Sequence, residues 1–146
     1  MDLIRGMSGI RGIVNATLTD SVITRHVQAL ANLQDVGVIL LARDSRSHGE
    51  SFIHSAAAAL SQCGREVINY GILPTPTAQF LVEQNKLAGC IVITASHNPT
   101  EWNGLKFIDS DGCFLNVEKN NYLFAMRWKL FFNKKIMSKH RPFFQN

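Results

Sequence analysis

Cysteine is scarce in this chain: Cys63, Cys90 and Cys113 are far apart and form no CxxC pair. Three such residues cannot all pair within one chain, and the spacing offers no redox motif. They read as reduced, buried thiols. The five histidines, His26, His48, His54, His97 and His140, also lack a short ligand spacing, which argues against zinc. No apolar run approaches the roughly 18 residues of a membrane span, and the opening Met1-Asp2-Leu3-Ile4-Arg5-Gly6 has no signal-peptide core. A cytoplasmic location without a membrane partner is therefore expected. Gly6, Gly9 and Gly12 do not make GxGxxG, and GxxxxGK[ST] and GxSxG are absent. These gaps disfavour a nucleotide phosphate loop and a hydrolase elbow.

What is present is enough apolar material, 46% of 146 residues, for one substantial core. The net charge of +4 is unevenly spread. Residues 1–116 hold eight Lys/Arg against ten Asp/Glu (net −2), and residues 117–146 hold seven against one (net +6). The basic character thus belongs to the tail, and the main body shows no electrostatic footprint for nucleic acid.

Thr19-Asp20-Ser21 supplies capping residues ahead of Ile23, Val27, Leu30 and Ala31, whose spacing predicts an amphipathic helix. Val36 to Ala42 is a continuous apolar run, as expected of a strand covered on both faces. An alanine-rich helix from Glu50 to Gln62 ends at Gly64, a residue suited to a left-handed cap. Glu66 to Tyr70 reads as a strand, and Thr75-Pro76 as the start of a helix reaching about Gln84. Ala88 to Thr94 is the clearest buried strand. Leu105 to Ile108 and Cys113 to Leu115 flank Asp109-Ser110-Asp111-Gly112, a hairpin turn. This alternation predicts an α/β fold: a three-layer α/β/α domain with a mixed, largely parallel sheet. Ligands of such sheets gather at the strands' carboxyl ends. Two polar clusters lie there, Arg43 to Arg46 and Ala95 to Pro99.

Thr94-Ala95-Ser96-His97-Asn98-Pro99, followed by Asn103-Gly104-Leu105-Lys106-Phe107, resembles the active-site serine loop of the α-D-phosphohexomutase superfamily, which includes phosphoglucomutases, phosphomannomutases and phosphoglucosamine mutases. Ser8-Gly9-Ile10-Arg11-Gly12, Ala42-Arg43-Asp44-Ser45-Arg46 and Gly71-Ile72-Leu73-Pro74-Thr75-Pro76-Thr77 match further family segments in the same order. Four short motifs in order are far less prone to chance than one. The resemblance covers roughly residues 3–116, the family's N-terminal domain I. It implies that Ser96 is carried as a phosphoserine and exchanges phosphoryl groups with a sugar phosphate. It further implies Arg11 as a phosphate-binding and catalytic cation, Lys106 as general acid/base, and His97 as a catalytic or loop-bracing residue. Asn98 is expected to brace the turn and bind phosphate. Phosphoryl transfer rests on positioning and charge neutralisation, which these residue types supply. Within the Arg43 to Arg46 cluster, an internal Arg–Asp salt bridge is expected in preference to a second phosphate clamp.

By the same resemblance the complete enzyme uses Mg²⁺, with Ser96 contributing a ligand through its phosphate. The other metal ligands, the sugar-reading loop and a further phosphate-binding loop belong to domains II–IV, for which no candidate follows Leu115. Its partners would be a hexose phosphate, a hexose bisphosphate and the missing domains. Residues 117–146 are expected to be an atypical basic, aromatic tail outside the fold, arising by truncation or a shifted reading frame. The expected activity is an intramolecular phosphotransferase (isomerase) of carbohydrate metabolism, with the isolated fragment inactive. The alternative is a non-enzymatic fragment that binds a partner through its basic tail.

Overall fold

The computed structural model describes residues 2–129. In chain order these form β1 (Ile4–Gly6), β2 (Gly9–Ile13), α1 (Asp20–Leu33), β3 (Ile39–Arg43), α2 (Gly49–Gln62), β4 (Val67–Ile72), α3 (Thr75–Gln84), β5 (Gly89–Ile93), β6 (Trp102–Asp109) and α4 (Val117–Lys129). One six-stranded sheet has the order β1-β2-β6-β5-β3-β4.

The central strands β3 and β5 are apolar on both faces because helices cover both. Ile39, Leu41, Ile91 and Ile93 join the larger core beneath α1 and α2, with Leu105 and Phe107 of β6. Leu40, Ala42, Cys90 and Val92 point the other way, against Ala78 and Val82 of α3. This strand alternation produces the three α/β/α layers.

The sheet is mixed, as expected, but its parallel part is confined to β4-β3-β5. The β1-β2, β2-β6 and β5-β6 pairings are antiparallel. The reason is connection length: a parallel return needs a crossover of a dozen or more residues, whereas the 94–101 loop joining β5 to β6 is shorter. That antiparallel return folds Lys106 back beside the loop that carries Ser96.

Local chemistry explains the helix ends. Thr19 caps α1, its Oγ1 accepting from Val22 N at 3.3 Å. Gly64 takes φ +73° after α2. Arg65 N then donates to Leu60 O at 2.9 Å and Gly64 N to Ser61 O at 3.0 Å, the paired bonds of a Schellman ending. Two expectations shift. β3 starts at Ile39, because Val36 is fully exposed and Gly37 breaks the run at φ +146°. Thr75 does not cap α3; Pro74 is its N-cap and supplies no side-chain bond.

Beyond the expected domain boundary at residue 116 the chain continues into the same core. Val117–Lys129 is a helix, α4, and its Leu123 is fully buried in the larger core. Phe124 meets the His26 ring of α1 edge-on, with centroids 6.3 Å apart. Asn120 donates from Nδ2 to Met7 O at 3.1 Å and Leu115 O at 3.0 Å. Asn120, Leu123 and Phe124 thus make a narrow stripe at i, i+3 and i+4 that closes the α1 layer. The rest of the expected tail, residues 130–146, lies outside the described residues. The thiols also divide more finely than expected: Cys90 is buried, Cys63 half-buried and Cys113 exposed.

Candidate active site

The 94–101 loop leaves the carboxyl end of β5 beside the carboxyl end of β3. Ser96 is its apex, exposed and in the left-handed region at φ +55°. A non-glycine residue there stores local strain of about 1 kcal/mol or more, so the surroundings must hold it. Ser96 N donates to Thr94 Oγ1 at 3.0 Å, and Thr94 Oγ1 donates to Asp44 Oδ2 at 2.7 Å. Arg46 Nη2 donates to Ser96 O at 2.8 Å. Both backbone polar groups of Ser96 are therefore bound, while the residue itself stays exposed.

Arg11, on β2, reaches the same loop, Nη1 donating to Asn98 Oδ1 at 3.0 Å. Gly104 lies opposite Arg11 in the β2-β6 ladder, and Lys106 opposite Gly9. Glycine at 104 is required by packing: a Cβ there would lie 2.3 Å from Ile10 O and 2.8 Å from Thr94 O. Ser8, Gly9, Arg11, Ser96 and Lys106 all line one small pocket of about 100 Å³. Lys106 Nζ also stands 5.9 Å from the Phe114 ring centre, a cation–π contact that orients the side chain. The cleft thus joins an exposed hydroxyl to two cationic side chains on a floor of glycine, which suits an anionic substrate.

Of the residues singled out from sequence, Ser96, Arg11, Asn98 and Lys106 come together here. The Asn98 side chain binds Arg11 and not the loop backbone. His97 is exposed beside Ser96 and makes no hydrogen bond among the described residues, so loop bracing falls to other groups. Thr94, Asp44 and Arg46 do that bracing. The expected Arg–Asp salt bridge is present, between Arg46 and Asp44 at 3.1 Å, but it is one contact of a larger clamp.

Among the described residues no group of three or more His, Cys, Asp or Glu is placed to hold a metal ion. The Asp44 carboxylate is already occupied by Arg46 and Thr94. A complete magnesium site therefore does not fit these residues alone.

Residues 2–130 match the family model described as phosphoglucomutase/phosphomannomutase, alpha/beta/alpha domain I. This chain belongs to that family. Phosphoglucosamine mutase of Prochlorococcus marinus strain MIT 9312 is 41% identical over 113 residues, which is 77% of this chain and 25% of that protein. The phosphoglucosamine mutase of strain MIT 9515 aligns with 100% of this chain at 32% identity, over 32% of its own length. A crystal structure of a phosphoglucomutase/phosphomannomutase family protein from Burkholderia thailandensis superposes with a TM-score of 0.74 at 25% identity, covering 89% of this chain and 31% of that one. The chain spans about a quarter to a third of the length of these relatives. The domain I match running to residue 130 agrees with α4 being part of the domain.

Proposed function

We propose that this chain is the phosphoserine-bearing domain I of an enzyme that moves a phosphoryl group between two hydroxyls of a hexose phosphate. The observation that carries the reading is Ser96, exposed at a left-handed turn and lining one pocket with Arg11 and Lys106. In the forward step the bond from Ser96 Oγ to phosphorus breaks as a sugar hydroxyl oxygen bonds to phosphorus. The hydroxyl's proton passes to a general base, for which Lys106 is the candidate, and Ser96 later regains a phosphoryl group from the bisphosphorylated sugar. Arg11 offers its guanidinium to the phosphate oxygens. Magnesium would neutralise phosphate charge, with Ser96 contributing through its phosphate and the other ligands coming from beyond this chain.

Glucosamine phosphate is the first substrate to test, given the names of the aligned relatives. Sugar positioning in such a reaction accounts for roughly 7–11 kcal/mol of the barrier, and the groups that would grip the sugar are assigned to domains II–IV. Turnover by this chain alone is therefore expected to be negligible, and to rise when a fragment holding those domains is added. The decisive experiment is incubation with glucose 1,6-bisphosphate followed by peptide mass spectrometry. Label should appear on Ser96 and vanish in Ser96→Ala; label elsewhere would overturn the assignment.

A further inference from the structure

Arg46 makes an unusual set of contacts for a residue just beyond a strand end. Its Nε donates to Asp44 Oδ2 at 3.1 Å. Its Nη1 donates to Pro99 O at 2.7 Å and Trp102 O at 3.1 Å. Its Nη2 donates to Ser96 O and Asn98 O, both at 2.8 Å. A guanidinium has five N–H donors, and all five are used. The side chain is only 14% exposed.

The contacts also close on themselves. Asp44 accepts from the backbone N of Arg46 at 3.0 Å as well as from its Nε, and holds Thr94 Oγ1, which in turn receives Ser96 N. Ser96 is thus gripped at its amide through Thr94 and Asp44, and at its carbonyl by Arg46 directly. Three loop carbonyls, those of Ser96, Asn98 and Pro99, and that of Trp102 at the start of β6 converge on one cation. No donor remains for a phosphate, whereas Arg11 commits only Nη1, and to an exposed contact.

We propose that Arg46 is the positioning residue of the serine loop: it holds Ser96 in the left-handed turn that presents its hydroxyl, and it does not itself bind phosphate. This deepens the reading of Ser96 as phosphate carrier and rests on it for its functional consequence. A lysine cannot substitute, because one ammonium with three donors cannot span four carbonyls and a carboxylate.

The test uses the full chain in ¹⁵N-labelled form, as wild type, Arg46→Lys and Arg46→Ala, each checked for a cooperative thermal transition. In the wild type the Ser96, His97 and Asn98 amides should show order parameters near the rigid value of ~0.85, falling below ~0.6 in both variants. Methylguanidinium at millimolar concentration should restore order in Arg46→Ala and leave Arg46→Lys unrestored. Labelling of Ser96 by glucose 1,6-bisphosphate should slow at least tenfold in both variants. Titration of the wild type with inorganic phosphate should shift the Arg11 side-chain resonance and leave that of Arg46 in place. Unchanged loop order in both folded variants would overturn the proposal, as would an Arg46 resonance that follows phosphate as strongly as that of Arg11. If wild-type Ser96 takes no label, the phosphoserine reading fails, while the amide measurements still decide the positioning role.

Discussion

Replacing Leu123 by alanine tests whether α4 belongs to the domain. Leu123 is fully buried and packs into the core shared by α1, α2 and the sheet. The change removes three carbon groups, a transfer loss of about 2 kcal/mol at ~0.8 kcal/mol per group. The lining of the site comes from regular helix and sheet that cannot collapse freely, so a cavity term adds to this, giving about 2–5 kcal/mol in all. Against a domain stability of about 5–15 kcal/mol this is a large fraction. At roughly 4 °C per kcal/mol for a domain of this size, Tm should fall by about 8–20 °C. Tyr122, the neighbouring residue, is 43% exposed, and Tyr122→Ala should stay within about 0.5 kcal/mol of wild type. Urea unfolding followed by far-ultraviolet circular dichroism measures both. Equal, small effects of the two substitutions would refute the placement of α4 against α1 and return the domain boundary to residue 116.

Gly104→Ala should damage both the sheet and the site, because the new methyl would overlap the backbone oxygens of Ile10 and Thr94; a cost above about 3 kcal/mol and loss of Ser96 labelling are expected, and a fully stable, labelled variant would contradict the packing. Arg65 donates to Ala31 O at 3.1 Å from Nε and 2.7 Å from Nη2, and to Asp35 O and Gln34 O, capping the carboxyl end of α1; Arg65→Ala should cost about 1.5–3 kcal/mol in urea melts, as for hydrogen bonds from a charged group. Iodoacetamide at neutral pH should modify Cys113 first, since it is exposed. Cys63 should react more slowly because burial raises its thiol pKa and lowers its thiolate fraction, and Cys90, buried and raised further, should react only on unfolding.

Much of this protein is written locally. The apolar runs around Leu40 and Ile91 specify strands covered on both faces because no polar residue interrupts them. Thr19 and Gly64 end helices through bonds made within a few residues, and the Thr94 to Pro99 segment with its three companion motifs identifies the family. Tertiary structure decided what depends on distant groups meeting. A hydrophobic stripe as thin as Leu123 and Phe124, set among basic residues, carries little periodic signal; α4 becomes part of the domain only because His26 and the rest of α1 offer it a surface. The clamp on Ser96 is likewise invisible in sequence. Within Asp44-Ser45-Arg46 the local solution is a salt bridge, and that bond forms. The four carbonyls that complete the clamp lie 50 to 56 residues away. They come within reach of Arg46 only because β3 and β5 run parallel side by side, bringing both polar clusters to one end of the sheet.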